Sequence, residues 1–124
     1  MTDSALFIGW GATQAGRERR AVELFGESLR YLTGLIKSGR VASVEPFFLE
    51  PHGGDLEGFF LVRGDTEELD RIRREDSFQR LAVKAQVLVQ NFGVVAAITG
   101  ERLNSHMGWF AEAAKEAEGP KPAG

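Results

Sequence analysis

Among the arginines of this sequence, Arg30 is the candidate for holding an anionic ligand. Its guanidinium stays protonated in proteins and grips a carboxylate through two parallel hydrogen bonds. Ser28 lies two residues earlier, and Asp76 lies where a later helical pattern is interrupted. We predict that the three side chains meet between the helices and the edge of a sheet, where Arg30 pairs with Asp76 or holds a substrate carboxylate. The alternative is a structural ion pair between helices, or two separate solvated side chains.

Other polar residues are candidates for the lining of a ligand site. His52 lies in a predicted turn, where a histidine is usually solvated, and His106 lies near the C-terminus. Glu45 and Asn91 are polar positions within apolar strands, so each either points outward at an edge or lines a cleft. The histidines have no paired Cys and no HxxxH spacing, so we expect no metal site. No Ser, His and Asp set has the local spacing of a nucleophilic triad.

The composition is typical of one globular domain without a strong electrostatic field. The chain has 124 residues, of which 43% are hydrophobic and 27% are charged, and its net charge is −3. We expect a single domain over residues 1–118, a disordered tail over 119–124, and no binding of nucleic acid or anionic membranes. The sequence has no Cys, no basic leader and no apolar run of the ~18 residues that span a bilayer, so we expect a cytoplasmic protein.

Periodicity and turn residues define the elements of the first half of the chain. The clearest element is a hairpin over 40–64, in which two apolar runs flank the turn 51–55. A short apolar run at 5–10 predicts an earlier strand. Apolar residues at spacings of three and four predict a helix over 17–37, and Gly39 ends it as a left-handed cap.

The second half of the chain predicts two helices and one long strand. Asp65, with Glu68 three residues later, is typical of a helix N-cap and its capping-box partner. We expect this helix to break at 76–77 and to restart for a short stretch. The apolar run 87–98 predicts a strand buried on both faces, and Ser105 is expected to cap a C-terminal helix.

The order β-α-β-β-α-β predicts a ferredoxin-like α+β fold with an added C-terminal helix. In this fold a four-stranded antiparallel sheet carries both main helices on one face, so the other face meets water, a ligand or another chain. Both parities are apolar in the strand at 87–98 and in the Phe pairs at 47–48 and 59–60. Because an apolar face of several hundred Å² is unusual in a monomer, we expect a homodimer in which one sheet face packs on its copy.

One pair of segments suggests a different partner. The run 6–11, Leu-Phe-Ile-Gly-Trp-Gly, resembles the first RNA-contacting motif of RNA-recognition (RRM) domains, and 57–62 lies where the second motif would lie. That second segment has Glu57 and Leu61 where the motif has a basic residue and an aromatic, which argues against RNA binding. No nucleotide cofactor is expected either, since Gln14 stands where the third Gly of a dinucleotide fingerprint belongs.

Four short segments carry a resemblance to a known family. They are Ser-Leu-Arg-Tyr-Leu at 28–32, Leu35, Gly-Arg-Val at 39–41 and Asp-Ser-Phe at 76–78. Over roughly residues 5–99 the chain resembles the YCII-related group of the dimeric α/β-barrel superfamily. The resemblance implies ferredoxin-like protomers whose sheets pack face to face, with an active-site pair made of a helix His and the Asp of an Asp-Pro-Phe motif. Asp76 matches that Asp and is the catalytic candidate, whereas Ser28 and Ser77 stand where the family has His and Pro.

The expected function follows from the fold and from this resemblance. Ser28 cannot titrate near neutrality as the family His does, so we expect a small-molecule-binding or structural homodimer without a cofactor. The wider superfamily implies an alternative, which is a cofactor-independent enzyme, monooxygenase-like or lyase-like, acting on a small aromatic or ketone substrate.

Overall fold

The computed structural model describes residues 4–120. Its sheet and helices confirm the expected ferredoxin-like arrangement, with the second helical segment divided in two. Residues 121–124 of the expected disordered tail lie outside the described part, and the domain limits 1–118 stay a prediction. In chain order the elements are β1 Ser4–Trp10, α1 Glu18–Lys37, β2 Ser43–Phe48, β3 Gly58–Gly64, α2 Thr66–Arg74, α3 Asp76–Leu88, β4 Gly93–Ile98 and α4 Gly100–Glu118.

The four strands form one antiparallel sheet in the order β2-β3-β1-β4. Leu6 of β1 lies opposite Val62 of β3, and the next residue, Phe7, lies opposite Leu61 and Val95. Because successive side chains of a strand point to opposite faces, these two rows lie on the two sides of the sheet. Leu6 and Val62 are buried under the helices, whereas Val95 on the other side is 55% exposed.

α1 covers one face of the sheet because its apolar residues recur every three or four positions. Leu24, Leu32 and Leu35 of this helix are buried. The chain leaves the helix at Gly39, whose φ of 75° is the left-handed value expected of a C-terminal cap. Leu69 and Ile72 are likewise buried and bring α2 into the same core.

The break between α2 and α3 is held by a network of ion pairs. It falls at Glu75, one residue before the predicted position, where the backbone is extended. Arg40 binds the Glu75 carboxylate through two hydrogen bonds, from Nη1 to Oε1 at 2.8 Å and from Nη2 to Oε2 at 2.7 Å. Asp65 is the N-cap of α2 as predicted. Glu68 was predicted to be its capping-box partner, but the Glu68 carboxylate binds Arg40 and Arg71 instead.

The predicted strand over 87–98 is wrong in its first half. α3 continues to Leu88, and β4 begins at Gly93. The backbone between these elements pairs with the segment after β1, where the Gly11 N–H donates to the Gln90 carbonyl oxygen at 2.7 Å. A short apolar run such as 87–89 fits the last turn of a helix as well as a strand, so periodicity did not separate the two.

α4 begins earlier than predicted, since its N-cap is Thr99 rather than Ser105. Its first turn is held by Arg102, whose Nη1 donates to Ser4 Oγ and to Thr66 Oγ1 at 2.8 Å each. No residue of α4 is buried. Neither this helix nor another one in the range 4–120 is long and apolar enough to cross a membrane.

The sheet face turned away from α1 and α3 carries apolar side chains from all four strands, as the two-sided apolar pattern predicted. Phe59 lies at its centre, with ring centroids 4.8 Å from Phe7 and 4.7 Å from Phe47. A Glu45–Arg63 ion pair at 3.4 Å lies at one end of this face. We call this surface the outer face and define it by Ala5, Phe7, Phe47, Phe59, Leu61, Val95 and Ala97.

Candidate functional site

A cavity of about 410 Å³ lies between α1, α3 and the helix-covered face of the sheet. Small-molecule sites typically enclose roughly 300–1,000 Å³, so this space is sufficient for a ligand of modest size. Thr13 and Val89 pair across the two connections at one end of the sheet, and both also line the cavity.

One wall of the cavity is aromatic. Phe25 of α1 stacks on Phe60 of β3 with 5.2 Å between ring centroids, and Phe25 also lies 5.0 Å from Phe48. Trp10 completes the cluster at 5.2 Å from Phe60. The Trp10 ring needs a glycine opposite it, because a Cβ on Gly58 would lie 2.7 Å from Trp10 Cζ2. Such a wall favours flat, apolar ligands.

The opposite wall belongs to α3 and combines Phe78 with smaller aliphatic side chains. Ala82 and Ala85 line the cavity there, and their small side chains leave space between the two helices. On the exposed side of the pair, the Lys84 ammonium binds the Glu27 carboxylate at 3.0 Å. This ion pair connects α3 to α1 without filling the cavity.

The cavity is open to solvent beside two large apolar side chains. Val22 of α1 is 72% exposed and Phe48 of β2 is 68% exposed, although both line the cavity. Removal of such exposed apolar side chains from water is favourable, and a ligand that enters between Val22 and Phe48 would cover both. We therefore take these two residues to mark the mouth.

The lining contains three hydroxyl groups in addition to the indole N–H of Trp10. The Tyr31 oxygen is buried and has no hydrogen-bond partner, a situation that costs about 1–3 kcal/mol. Ser28 and Thr13 line the same cavity, and their hydroxyls make no hydrogen bond to another residue of the range 4–120. The described lining contains no carboxylate, imidazole, ammonium or guanidinium group. It is therefore equipped to orient a neutral molecule by hydrogen bonds.

The three members of the predicted trio have different surroundings in the structure. Ser28 lines the cavity, but Arg30 and Asp76 are exposed side chains and form no ion pair with each other in the described part of the chain. The Arg30 guanidinium lies along its own helix, 3.4 Å from the place where a Cβ on Gly26 would be. An anion site at Arg30 and Asp76 stays a prediction.

The three other predicted ligand residues lie at separate places outside the cavity lining. His52 orders the β2–β3 loop, with Nε2 at 2.8 Å from the Leu56 carbonyl oxygen and Nδ1 accepting from the Gly54 N–H. Glu45 lies on the outer face, where it pairs with an arginine. Asn91 turns the chain into β4 with a φ of 53°, a left-handed conformation that Asn tolerates better than most residues.

The break between α2 and α3 contains two groups whose pKa values are shifted. The Arg40 guanidinium holds the pKa of the Glu75 carboxyl below its ordinary value, mainly through their hydrogen bonds, and the same contacts raise the pKa of Arg40. Neither residue lines the cavity, so this pair is structural. Residues 4–120 contain no cluster of three His, Cys, Asp or Glu side chains able to hold a metal ion.

Apart from Ser28, the residues that line the cavity were absent from the sequence-based site prediction. Trp10, Phe48 and Phe60 lie on one face of three neighbouring strands, and each was interpreted as an ordinary strand residue. A usable signal was Tyr31, a residue with a polar end beside the buried stripe of α1. A search of the sequence for charged or titratable residues does not find a site that is lined by aromatic, aliphatic and hydroxyl side chains.

Comparisons with known proteins identify the fold. No protein-family model matches the chain, and no curated protein matches it. A dimeric protein of unknown function with a ferredoxin-like fold from Bacteroides fragilis is similar over 78% of this chain and 97% of its own, with a TM-score of 0.57 and 8% identity. SnoaB, a cofactor-independent oxygenase from Streptomyces nogalater, is similar over 80% of this chain and 95% of its own, with a TM-score of 0.51 and 12% identity. Identities this low show a shared ferredoxin-like fold alone.

Proposed function

We propose that this protein is a homodimer whose protomers each bind one small, flat and mostly apolar molecule in the cavity between α1, α3 and the sheet. The observation that carries the proposal is the cavity of about 410 Å³ with its aromatic wall and its three hydroxyls. Burial of apolar surface supplies about 25 cal/mol per Å², so a ligand of two or three fused rings would gain several kcal/mol from the wall.

The hydroxyls at Ser28 and Tyr31 add selectivity to this binding. A buried hydroxyl without a partner gains a hydrogen bond when a ligand brings a carbonyl or hydroxyl group to it. The preferred ligand is therefore an aromatic phenol or ketone rather than a pure hydrocarbon.

The dimer is supported by the outer face. Phe7, Phe59 and Leu61 lie side by side on it, and Val95 beside them is 55% exposed. A second copy of the same face would bury these side chains, and the Bacteroides fragilis protein of similar fold is dimeric. Membership of the YCII-related group and catalysis at Asp76 are finer proposals, which rest on the sequence resemblance.

A cofactor-independent enzyme is the second candidate. It is favoured by the fold shared with SnoaB and by a cavity whose hydroxyls would position a substrate carbonyl. In this case a molecule bound in the cavity would be consumed, with uptake of oxygen for an oxygenase or with release of a fragment for a lyase. Incubation of the protein with a bound aromatic ketone, followed by oxygen-electrode and mass measurements, separates binding from turnover.

Ligand binding is tested by calorimetric titration with 1-naphthol and with naphthalene. We expect both to bind at a single site per protomer, and 1-naphthol to bind more tightly. Val22→Trp should abolish binding because the indole would fill the mouth, whereas Glu23→Trp, on the neighbouring exposed position of α1, should bind as the wild type does. Equal binding by the wild type and Val22→Trp would place the ligand elsewhere and overturn the proposal.

The dimer is tested by sedimentation equilibrium of two matched valine variants. Val95 lies on the outer face and Val83 lies on α3, with exposures of 55% and 57%. Val95→Asp should give monomeric or insoluble protein, because the carboxylate would be buried between two sheets without a partner. Val83→Asp should remain a soluble dimer. A monomeric wild type at micromolar concentration would exclude the homodimer.

A further inference from the structure

We infer that α4 is a dimerisation arm, which lies on the second copy of this chain and adds its apolar stripe to the interface formed by the outer face. This inference rests on the proposed homodimer and extends it to an element that the sheet packing leaves unexplained. The stripe consists of Leu103, Met107, Phe110 and Ala114.

The helix α4 is amphipathic, and its apolar stripe is exposed in the part of the protomer that the structure describes. The residues of the stripe recur at spacings of four, three and four, so they lie on one side of the helix. Leu103, Met107 and Phe110 are 44%, 58% and 72% exposed, and no residue of α4 is buried. An isolated helix is marginally stable in water, so a helix of 19 residues with a bare apolar stripe needs a surface to cover it.

The position of α4 connects the stripe to the outer face. The helix follows β4 directly, and β4 is an edge strand that contributes Val95 and Ala97 to the outer face. Arg102 fixes the first turn to the body of its own protomer through Ser4 and Thr66. The root of the helix is therefore held in place, while the part with Met107 and Phe110 is left to meet another molecule.

The outer face of the sheet is smaller than the surface that a stable interface usually buries on each partner. Four strands at about 4.8 Å spacing and six residues in length give a plan area of roughly 400 Å². A stable interface of standard size buries about 800 Å² on each partner. α4 is about 28 Å long, so its apolar side supplies much of the remaining area. In a dimer with two-fold symmetry, the α4 helix of each protomer packs on the other protomer in the same way. No arm is then left free to bind a third copy.

The charge of α4 argues for a second copy rather than a lipid surface. Helices that lie on anionic membranes are rich in Lys and Arg on their polar face. α4 carries four acidic residues and two basic ones. A net negative helix is repelled by such membranes, whereas the outer face is apolar and the Glu45–Arg63 ion pair at its end is neutral overall.

The experiment compares two glutamate substitutions in the full chain by sedimentation equilibrium. Phe110→Glu places a charge in the stripe, and Ser105→Glu places the same charge on the opposite side of the helix. We expect Phe110→Glu to raise the Kd of the dimer at least about tenfold and Ser105→Glu to leave it unchanged. Circular dichroism should be the same for both variants, because neither position is buried in the protomer.

A second measurement places a single indole in the stripe. Both tryptophans of the chain are replaced, by Trp10→Phe and Trp109→Phe, and Phe110→Trp then introduces the one fluorescent indole at a position that is 72% exposed in the protomer. In the dimer its emission should lie at shorter wavelength and resist quenching by acrylamide, and dilution below the Kd should reverse both effects.

The outcomes separate this inference from the proposed dimer. If the wild type is a dimer, Val95→Asp is monomeric and Phe110→Glu dimerises as the wild type does, the arm is wrong and the homodimer stands. A wild type that is monomeric at micromolar concentration overturns the arm together with the homodimer. A wild-type dimer whose α4 binds anionic vesicles overturns the arm alone.

Discussion

Phe25 of α1 stacks on Phe60 of β3, with 5.2 Å between ring centroids and 16° between ring planes. The contact fixes the helix to the sheet at the aromatic wall of the cavity. Phe25 lies between a buried part of that wall and an exposed part. Phe60 is 4% exposed, whereas Phe48, which also contacts Phe25, is 68% exposed. The two phenylalanines therefore differ in what they contribute to stability.

Phe60→Ala should lower the free energy of unfolding by about 3–5 kcal/mol, since it removes a buried ring and leaves a cavity among Phe25 and Trp10. Phe48→Ala should cost about 1 kcal/mol or less, because most of its ring is already in water. Urea denaturation of both variants measures the difference. Equal losses would mean that Phe48 is buried in solution by something other than its own protomer.

Two glycines offer a matched test of backbone packing. At Gly58 a Cβ would lie 2.6 Å from the Phe47 carbonyl oxygen and 2.7 Å from Trp10 Cζ2, so Gly58→Ala should destabilise the protein by roughly 1–3 kcal/mol. At Gly34, within α1, a Cβ meets open space, so Gly34→Ala should stabilise it by about 0.5–1 kcal/mol. Thermal unfolding should shift in opposite directions for the two. A shift in the same direction would contradict the close packing at Gly58.

The Arg40–Glu75 pair predicts a dependence of stability on pH. The guanidinium lowers the pKa of the Glu75 carboxyl in the folded protein, so the pair stabilises the fold above the unfolded carboxyl pKa of about 4.3. That contribution is lost as the pH falls through the lower, folded pKa. Glu75→Gln should therefore unfold at lower urea concentration than the wild type at pH 7, and the gap should close in acid.

The control for this pH effect is Glu67→Gln. Glu67 is an exposed carboxylate on the same helix as Glu68, with no ion pair in the described part of the chain. Its substitution should change the urea midpoint little at either pH. A gap between Glu75→Gln and the wild type that persists in strong acid would show that the carboxylate charge is not what stabilises the break.

Tyr31→Phe should separate folding from ligand recognition. Removal of a buried hydroxyl without a partner should raise the stability of the ligand-free protein by about 1 kcal/mol, the lower end of the roughly 1–3 kcal/mol that such a group costs. Binding of 1-naphthol should weaken, while binding of naphthalene, which has no hydroxyl, should not change. Loss of stability in the ligand-free variant would mean that the Tyr31 oxygen has a partner in solution, and a uniform change for both ligands would remove its role in selectivity.

Local sequence signals determined most of the fold. The turn residues at 51–55, the three-and-four spacing in α1 and the cap at Gly39 act over a few residues, so the sequence alone identifies them. The alternation of apolar residues on both parities likewise predicted an apolar outer face. These features require no knowledge of which elements meet in space.

Tertiary packing decided the structure of the run 87–98 and the location of the candidate site, because both depend on contacts between distant parts of the chain. The run 87–98 is divided between the end of α3 and β4, because its central residues form backbone hydrogen bonds with the segment at Gly11. Local periodicity does not reveal these long-range hydrogen bonds. The candidate site changed for the same reason. Charged residues such as Arg30 are conspicuous in a sequence, whereas the cavity arises where small side chains on α3 face an aromatic wall of the sheet. Its existence is set by the separation of those two layers, a distance that only the folded structure defines.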